Sequence, residues 1–470
     1  MSVVVIGSGM KQWACAVEYM LEADNKSHTV LDFRNLQTVT LKSFRMKKVE
    51  KKLINAKFVH FKMRYFLKYE CILQSVFLWR DVIKNDSLEY KLRYYDVDII
   101  PILRNIFSEL QKTSNVKINN IGKRKILWEI FRIILIIEFL ARKNIISENL
   151  VLYNGRDLVN ASILSFALSK KQNYTILERG SSNKKYAVFR STPQDNTEWW
   201  KNIRNFQCTS LMEKSRDSYL RDKSNGYDPV QRKDWRKHFN SKVDLNRITF
   251  NSKKCIVFFS SSTFEHSVTN SPDKEIGFKN QFSAVSALID EVQSLGMTLV
   301  IRRHPNSMTT KGKDNEHTDW VKLLNSEIIY FGPNSGVNSY ELASKASCSF
   351  VFKSSIGFDL LCKGLPAFAL GPAKWSFDKK FQCFDRNYLH EILIKVEQGK
   401  IMDYIADDRV QIINRYACFY SNHGIEYKNF VFVERWGCKM TQGPIIYKSL
   451  LYRPFYYLLN PKNLLTKLLS

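Results

Sequence analysis

The sequence predicts an α/β chain made of two doubly wound units, each a parallel sheet with helices between its strands. Three observations predict it. The chain has 470 residues, more than one ordinary core serves. It opens on "SVVVIG", a short apolar run closed by Gly7 and Gly9 and followed by the helical pattern of "KQWACAVEYMLEA". Its second half repeats apolar run, polar loop and helical pattern several times.

The first half begins with that βα unit, and "HTVLDFR" at 28–34 reads as a second strand. Gly-Ser-Gly lacks the third glycine of a dinucleotide fingerprint, and a tight strand-to-helix turn needs these glycines in any case. Residues 40–145 are rich in Lys, Tyr, Phe and Leu and read as an insertion of several helices with basic faces. "ENLVLYNGRD" at 148–157 returns to strand and loop, "LVNASILSFALSKK" is a helix, and "YTILERGSS" at 174–182 is the next strand and loop. The polar stretch 215–250 places a domain boundary near 245.

The second half opens on the strand "KKCIVFFSSSTFEH", followed by the helix "FKNQFSAVSALIDEVQSLG" and the strand "MTLVIRRHP". Then come the strand "SEIIYFG", the helix "NSYELASKA", the strand "CSFVFKSS", the helix "GFDLLCKG" and the strand "LPAFALG". The predicted domains are 1–245, 246–440 and a basic tail over 441–470. No repeat of solenoid period and no low-complexity segment is present.

Apolar residues make up 44% and charged residues 25%, a globular composition. Lys plus Arg is 72 against 45 acids, a formal charge of +27. That excess bears on partners: nucleic acid, an anionic membrane surface or an anionic substrate. AT-rich coding also raises Lys and Asn. The nine cysteines form no C-x-x-C pair or cluster with His, and read as reduced thiols of a cytoplasmic protein. The N-terminus has no basic stretch before its apolar start, so it is a poor signal peptide. The most membrane-like run, 126–143, is broken by Glu129, Arg132 and Glu138 and reads as a buried amphipathic helix. "GPIIYKSLLYRPFYYLLNPKNLLTKLLS" has no acid after Glu434 and suits either a basic amphipathic helix on an anionic leaflet or a terminal packing helix.

Open α/β sheets bind ligands off the carboxyl ends of their strands. Four polar clusters follow apolar runs there: Ser260–Ser262 with Glu265, Arg302 to Pro305, Asn334 to Ser339, and Ser354 to Gly357. In "KSSIGFDLL" two hydroxyls and a glycine precede a helix, so free N–H groups and the helix dipole favour an anion; simple N-capping is the alternative. In "RRHP", Pro305 restricts the residue before it and aims His304. Strand alternation sends Arg302 and Arg303 to opposite faces, so one of them reaches a ligand.

The order "FFSSSTFEH", "VIRRHPN", "NSYELASKA", "SSIGFDLLCKGLPAFALGPAKW" resembles the donor half of glycosyltransferases with two Rossmann-like domains, the GT-B fold. It is most similar to capsule and surface-polysaccharide enzymes, and shares His-Pro and Ser-Ser features with bacterial sialyltransferases, Kdo transferases and cell-wall polyol-phosphate polymerases. "YNGRDLVNASIL", "ILERGSSNKKYAVF" and "TPQDNTEWW" resemble the acceptor-side segments of this group. The resemblance spans about residues 150–430.

The resemblance implies a nucleotide-sugar donor held by Ser261, Arg303, His304, Pro305, Ser339, Glu341, Ser354, Ser355 and Gly357, with Gly357 permitting close backbone approach. Asp359 would meet a ribose hydroxyl or cap its own helix. Asn154 and Arg156 fall on the acceptor side. Sialyl-type enzymes carry two adjacent acids before a glycine; here Glu178-Arg179-Gly180 supplies one. The implied general base is Glu178, unless it pairs with Arg156, or else Asp195; His304 joins them as a catalytic candidate. No Asp-x-Asp is placed in a loop after a strand, which favours transfer without a metal. The expected function is therefore sugar transfer from a nucleotide-sugar to a surface polysaccharide or lipid-linked glycan. It needs no cofactor, and takes place in the cytoplasm against the inner face of the membrane, without nucleic acid as a partner. The alternatives are a nucleic-acid-binding protein, although no RNP, zinc-finger or recognition-helix signature is present, and a non-catalytic sugar-nucleotide-binding subunit of a polysaccharide assembly complex.

Overall fold

The computed structural model describes residues 2–6, 10–22, 28–32, 56–60, 93–100, 102–103, 106, 120–142, 144, 146, 149–155, 157–182, 184–191, 196–224, 227–228, 233–234, 255–261, 278, 280–304, 307, 320–325, 327–428, 430–434, 437–440 and 445–447. Two compact units emerge. The first comprises residues 1–193, 267–270 and 424–470, the second 194–266 and 271–423. The division thus falls at Pro193 and His423, where the sequence pattern placed it near 245 and 440.

In the first unit, strands β1 (Ser2–Ile6), β2 (His28–Asp32) and β3 (Ala56–His60) are joined by β4 (Arg93–Tyr94), β5 (Val97–Asp98), β6 (Asn149–Tyr153), β7 (Asn173–Arg179) and β8 (Lys185–Phe189). Seven strands form one sheet in the order β16-β8-β7-β6-β1-β2-β3, with β16 at Ile425–Glu426. The pairs β1–β2, β1–β6, β2–β3 and β6–β7 are parallel; β7–β8 and β8–β16 are antiparallel. The strand order reverses between β1 and β6, the switch point of a doubly wound sheet.

Helices α1 (Met10–Glu22), α2 (Asn120–Arg142) and α3 (Leu158–Ser169) belong to this unit. The α2 helix answers the membrane-like run. Ile126, Leu127, Ile130, Phe131, Ile134 and Ile137 are buried, and Arg132 pairs with Glu129 at 2.6 Å while Glu138 pairs with Arg142 at 3.1 Å. Each of those charges therefore has a counter-charge on the same helix. No helix among the described residues is long and apolar enough to cross a membrane.

Residues 40–145 are not wholly helical, however. They contribute the sheet strand β3 and a β4–β5 hairpin whose turn residues Tyr95 and Asp96 have φ of 49° and 64°. Both turn residues have positive φ, as a two-residue type I′ turn requires. This hairpin also holds an Asp-x-Asp that the sequence reading passed over. Asp98 accepts from the Ile100 N–H at 3.1 Å and Asp96 lies 3.5 Å from Lys170, so both carboxylates are engaged locally.

In the tail, β17 (Phe430–Glu434), β18 (Gly437–Met440) and β19 (Ile445–Tyr447) form an antiparallel sheet. Residues 445–447 are therefore strand where an amphipathic helix was expected; 448–470 lie outside the described residues.

The second unit begins with α4 (Asn196–Asn205), α5 (Ser210–Ser224) and the short pair β9 (Tyr227–Asp228) and β10 (Lys233–Asp234). Its sheet contains β11 (Cys255–Phe259), β12 (Thr298–Arg302), β13 (Ile329–Phe331), β14 (Cys348–Val351) and β15 (Ala367–Ala369), in the order β13-β12-β11-β14-β15 and parallel throughout. All five strands fall where the apolar runs predict them. Helices α6 (Gln281–Ser294), α7 (Ser339–Ser344), α8 (Ile356–Cys362), α9 (Arg386–Glu397) and α10 (Ile401–Asn422) complete it. The switch point lies between β11 and β14. Each unit is thus Rossmann-like and doubly wound, as the sequence predicts.

The α5 helix explains why the two divisions differ. Half of its described side chains are exposed, which reads as linker, but Tyr219 and Lys223 are buried against the unit. A disulfide joins Cys208, just before α5, to Cys418 of α10. The expectation that every cysteine is a reduced thiol is corrected at these two. Cys15, Cys255, Cys348, Cys362 and Cys383 are in no disulfide. The bond closes a loop of sequence separation 210. Reduction, or Cys208→Ser, is expected to destabilise the second unit by about 2–4 kcal/mol, read as a lower denaturant midpoint.

Candidate functional site

The carboxyl ends of β11, β12, β13 and β14 form one rim, and hydrogen bonds tie their loops together. Ser260 Oγ accepts from the His304 N–H at 2.8 Å, joining the loops after β11 and β12. Ser261 Oγ accepts from the Lys353 N–H at 2.8 Å, joining the loops after β11 and β14 across the switch point. The Arg302 guanidinium donates from Nη1 to the Gly332 carbonyl at 2.7 Å, joining the loops after β12 and β13. Four separate loops therefore have fixed positions relative to one another.

Two of the expected donor residues have structural partners. Ser261 is buried, with its N–H 2.6 Å from Gln281 Oε1 and its carbonyl 3.2 Å from Gln281 Nε2. Its N–H, carbonyl and Oγ are all hydrogen-bonded within the frame, so it supports the rim. Arg303 is fully buried, with its guanidinium 4.7 Å from the centre of the Trp320 ring and Nη1 3.5 Å from Tyr330 Oη. A cation on an aromatic face inside the core is a packing element.

His304 is half-buried, its backbone fixed by Ser260 and by the Ser307 N–H donating to its carbonyl at 2.9 Å. Pro305 lies outside the described residues. In the loop after β13, Asn338 caps α7 by accepting from Tyr340 N at 3.0 Å and Glu341 N at 3.3 Å. Ser339 is buried at the start of that helix and Glu341 is exposed.

The Ser-Ser-x-Gly segment after β14 resolves the question of capping. Ser355 is the N-cap residue of α8, yet its side chain makes no capping bond and is exposed. Ser354 Oγ lies a long 3.4 Å from the Ile356 N–H, and its carbonyl accepts from Trp375 Nε1 at 2.9 Å. Gly357 has a structural cause: a Cβ there would lie 2.1 Å from Trp375 Cζ2. Trp375 is buried and tethered, so Gly357 makes room for an indole, where backbone approach to a ligand was expected. Gly357→Ala is expected to cost about 1–3 kcal/mol by overpacking, measured by chemical denaturation.

The Asp359 carboxylate has protein partners: its Oδ1 is 2.9 Å from Lys223 Nζ of α5, and its Oδ2 accepts from Tyr340 Oη at 2.8 Å. The carboxylate thus locks α8 to α5 and α7. Lys223 went unremarked in the sequence, since it sits in the stretch that reads as linker.

In the first unit, Asn154 and Gly155 follow β6 with φ of 61° and 71°. The Asn154 N–H donates to the Leu177 carbonyl at 2.8 Å, and a Cβ at Gly155 would lie 2.8 Å from Leu164. Asp157 caps α3 through Val159 N and Asn160 N, and Asn160 returns its Oδ1 to the Tyr153 N–H at 3.0 Å. The "YNGRDLVN" pattern is thereby a strand-to-helix turn with its own internal bonding. Glu178 Oε1 accepts from the Arg179 N–H at 2.9 Å, and its Oε2 is buried with no hydrogen bond. Gly180 is needed because a Cβ would meet Lys185 at 2.7 Å. Arg156 and Asp195 lie outside the described residues.

The second unit is thus a doubly wound domain with a built rim at its switch point. No protein-family model matches the chain, and no curated protein matches it. Among solved structures it is similar to the Thermosulfurimonas dismutans KpsC β-Kdo 2,4 transferase, at 12% identity and TM-score 0.34 over 51% of this chain and 77% of that one. It is also similar to the S. aureus MnaA–UDP co-structure, at 10% identity and TM-score 0.26 over 91% and 92%. A third similarity is to a variant of Os79 from O. sativa in complex with UDP, at 8% identity and TM-score 0.28 over 88% and 94%.

Proposed function

We propose that the chain is a glycosyltransferase that moves a sugar from a nucleotide-activated donor to a surface polysaccharide or lipid-linked glycan. The observation that carries this reading is the bonding of Ser260 to His304 and of Ser261 to Lys353, which gathers the His-Pro and Ser-Ser segments at the switch point of one sheet. On this reading His304 and the hydroxyls of Ser354 and Ser355 hold the donor phosphate. The unused capping capacity of Ser355 supports that role. Ser339 and the exposed Glu341 are offered to the nucleoside, and Pro305 fixes the aim of His304.

Asn154 and Arg156 belong to acceptor binding, and Glu178 or Asp195 takes the proton from the acceptor hydroxyl. The Glu178 Oε2 without a hydrogen bond supports Glu178, since a base needs an open lone pair. The departing nucleotide is stabilised by hydrogen-bond donors and cations of the protein, with no metal and no further cofactor. The basic excess of the chain supports an anionic donor, glycan or leaflet at the inner membrane face as its partner.

The test is to incubate the protein with CMP-, UDP-, GDP- and TDP-sugars and glycan acceptors and to follow nucleotide release. One donor is expected to turn over. Nucleotide binding with no turnover for any pair would favour a sugar-binding subunit. Tight, steeply salt-dependent binding of generic DNA without nucleotide binding would favour a nucleic-acid-binding protein.

A further inference from the structure

We propose that Arg302 is the cation that meets the donor's phosphate; this rests on reading the second unit as a nucleotide-sugar site. The pattern "RRHP" allows either arginine, and the neighbouring Arg303 is the residue that the sequence reading favoured. Packing separates them. Arg303 spends its guanidinium on Trp320 and Tyr330. Arg302 ends β12, is only 4% exposed, and donates from Nη1 to the carbonyls of Arg303 and Gly332, both at 2.7 Å. Its Nε is buried without a hydrogen bond, as is that of Arg303, and no carboxylate pairs with Arg302 among the described residues.

That lack of a counter-charge is unusual. Buried charges are ordinarily paired, because desolvation of a lone ion costs far more than that of a neutral group. Several other buried charges among the described residues do have a counter-charge: Lys223 has Asp359, Arg132 has Glu129, and Glu291 has Arg386. Burial pushes the Arg302 guanidinium down to about 10, opposed by Tyr330 and by no carboxylate among the described residues. Its position is equally specific. The carbonyls that it clasps belong to the residue before His304 and to the residue after β13, so it stands on the rim itself. A phosphate oxygen is the charge that would complete it, and a planar guanidinium suits phosphate.

The experiment compares the affinity for a nucleotide with that for its nucleoside, UDP against uridine and CMP against cytidine, in wild type, Arg302→Gln and Arg303→Gln. Loss of Arg302 is expected to weaken nucleotide binding roughly 10- to 100-fold, the value of a charged hydrogen bond, and to leave nucleoside binding unchanged. Arg303→Gln is expected to lower the melting temperature and keep the ratio. If Arg302→Gln does not fold, Arg302→Lys retains the charge without the fork and is expected to lower the ratio at least roughly threefold. An unchanged ratio in the Arg302 variants, or an equal loss for nucleotide and nucleoside, would overturn the proposal. A wild type that binds no nucleotide would instead remove the donor reading, and this inference with it.

Discussion

Replacing Lys223 with methionine is expected to destabilise the second unit by about 3–5 kcal/mol, the cost of stranding one member of a buried ion pair. The side chains of Lys223 and Asp359 are 3% and 4% exposed, and the ions are 2.9 Å apart. Methionine fills a similar volume, so the loss is one of charge and not of packing. Asp359 would keep the Tyr340 hydroxyl but lose its cation. The double variant Lys223→Met with Asp359→Asn is expected to regain most of that stability, because the buried carboxylate is gone as well. Urea denaturation of the two singles and the double measures the coupling; strict additivity would show that the pair contributes nothing jointly. The effect should reach the site. Asp359 stands in the first turn of α8, directly after Ser354 and Ser355, and Tyr340 opens α7, directly after the Asn334–Asn338 loop. The single variant is therefore expected to raise the donor KM, with the double lowering it again.

Replacing His304 with alanine is expected to lower kcat by roughly 10²- to 10³-fold, the scale for losing one positioned donor to a developing anion. The backbone N–H that bonds Ser260 survives this change, so the loop stays tied and the melting temperature should move little. Activity lost without stability marks a residue that acts on the ligand. Activity retained with the right donor would exclude His304 from the reaction.

The five strands of the second sheet were legible because a parallel sheet covered on both faces reads as uninterrupted apolar runs. The first sheet was less so. Ala56–His60 carries Lys57 and His60 within a lysine-rich region, and Ile425–Glu426 is too short to leave a pattern. Loop positions were legible and side-chain roles were not. "SSS" after β11 reads equally as ligand hydroxyls or as frame, and only the bonds to His304 and Lys353 decide that Ser260 and Ser261 are frame. The choice between Arg302 and Arg303 turned on Trp320, which no local pattern links to β12. Gly357 likewise answers to Trp375, and Asp359 to a lysine in a segment that looked like linker.

The most direct measurement is the melting temperature of the full chain titrated with CMP, UDP, GDP and TDP. A ligand that binds the native state alone stabilises it by about 2.7 kcal/mol at a hundred times its dissociation constant. One of the four nucleotides is expected to raise the melting temperature of the wild type, with a much smaller rise in His304→Ala. No rise with any nucleotide, or an equal rise in both proteins, would contradict a donor site at the His304 rim.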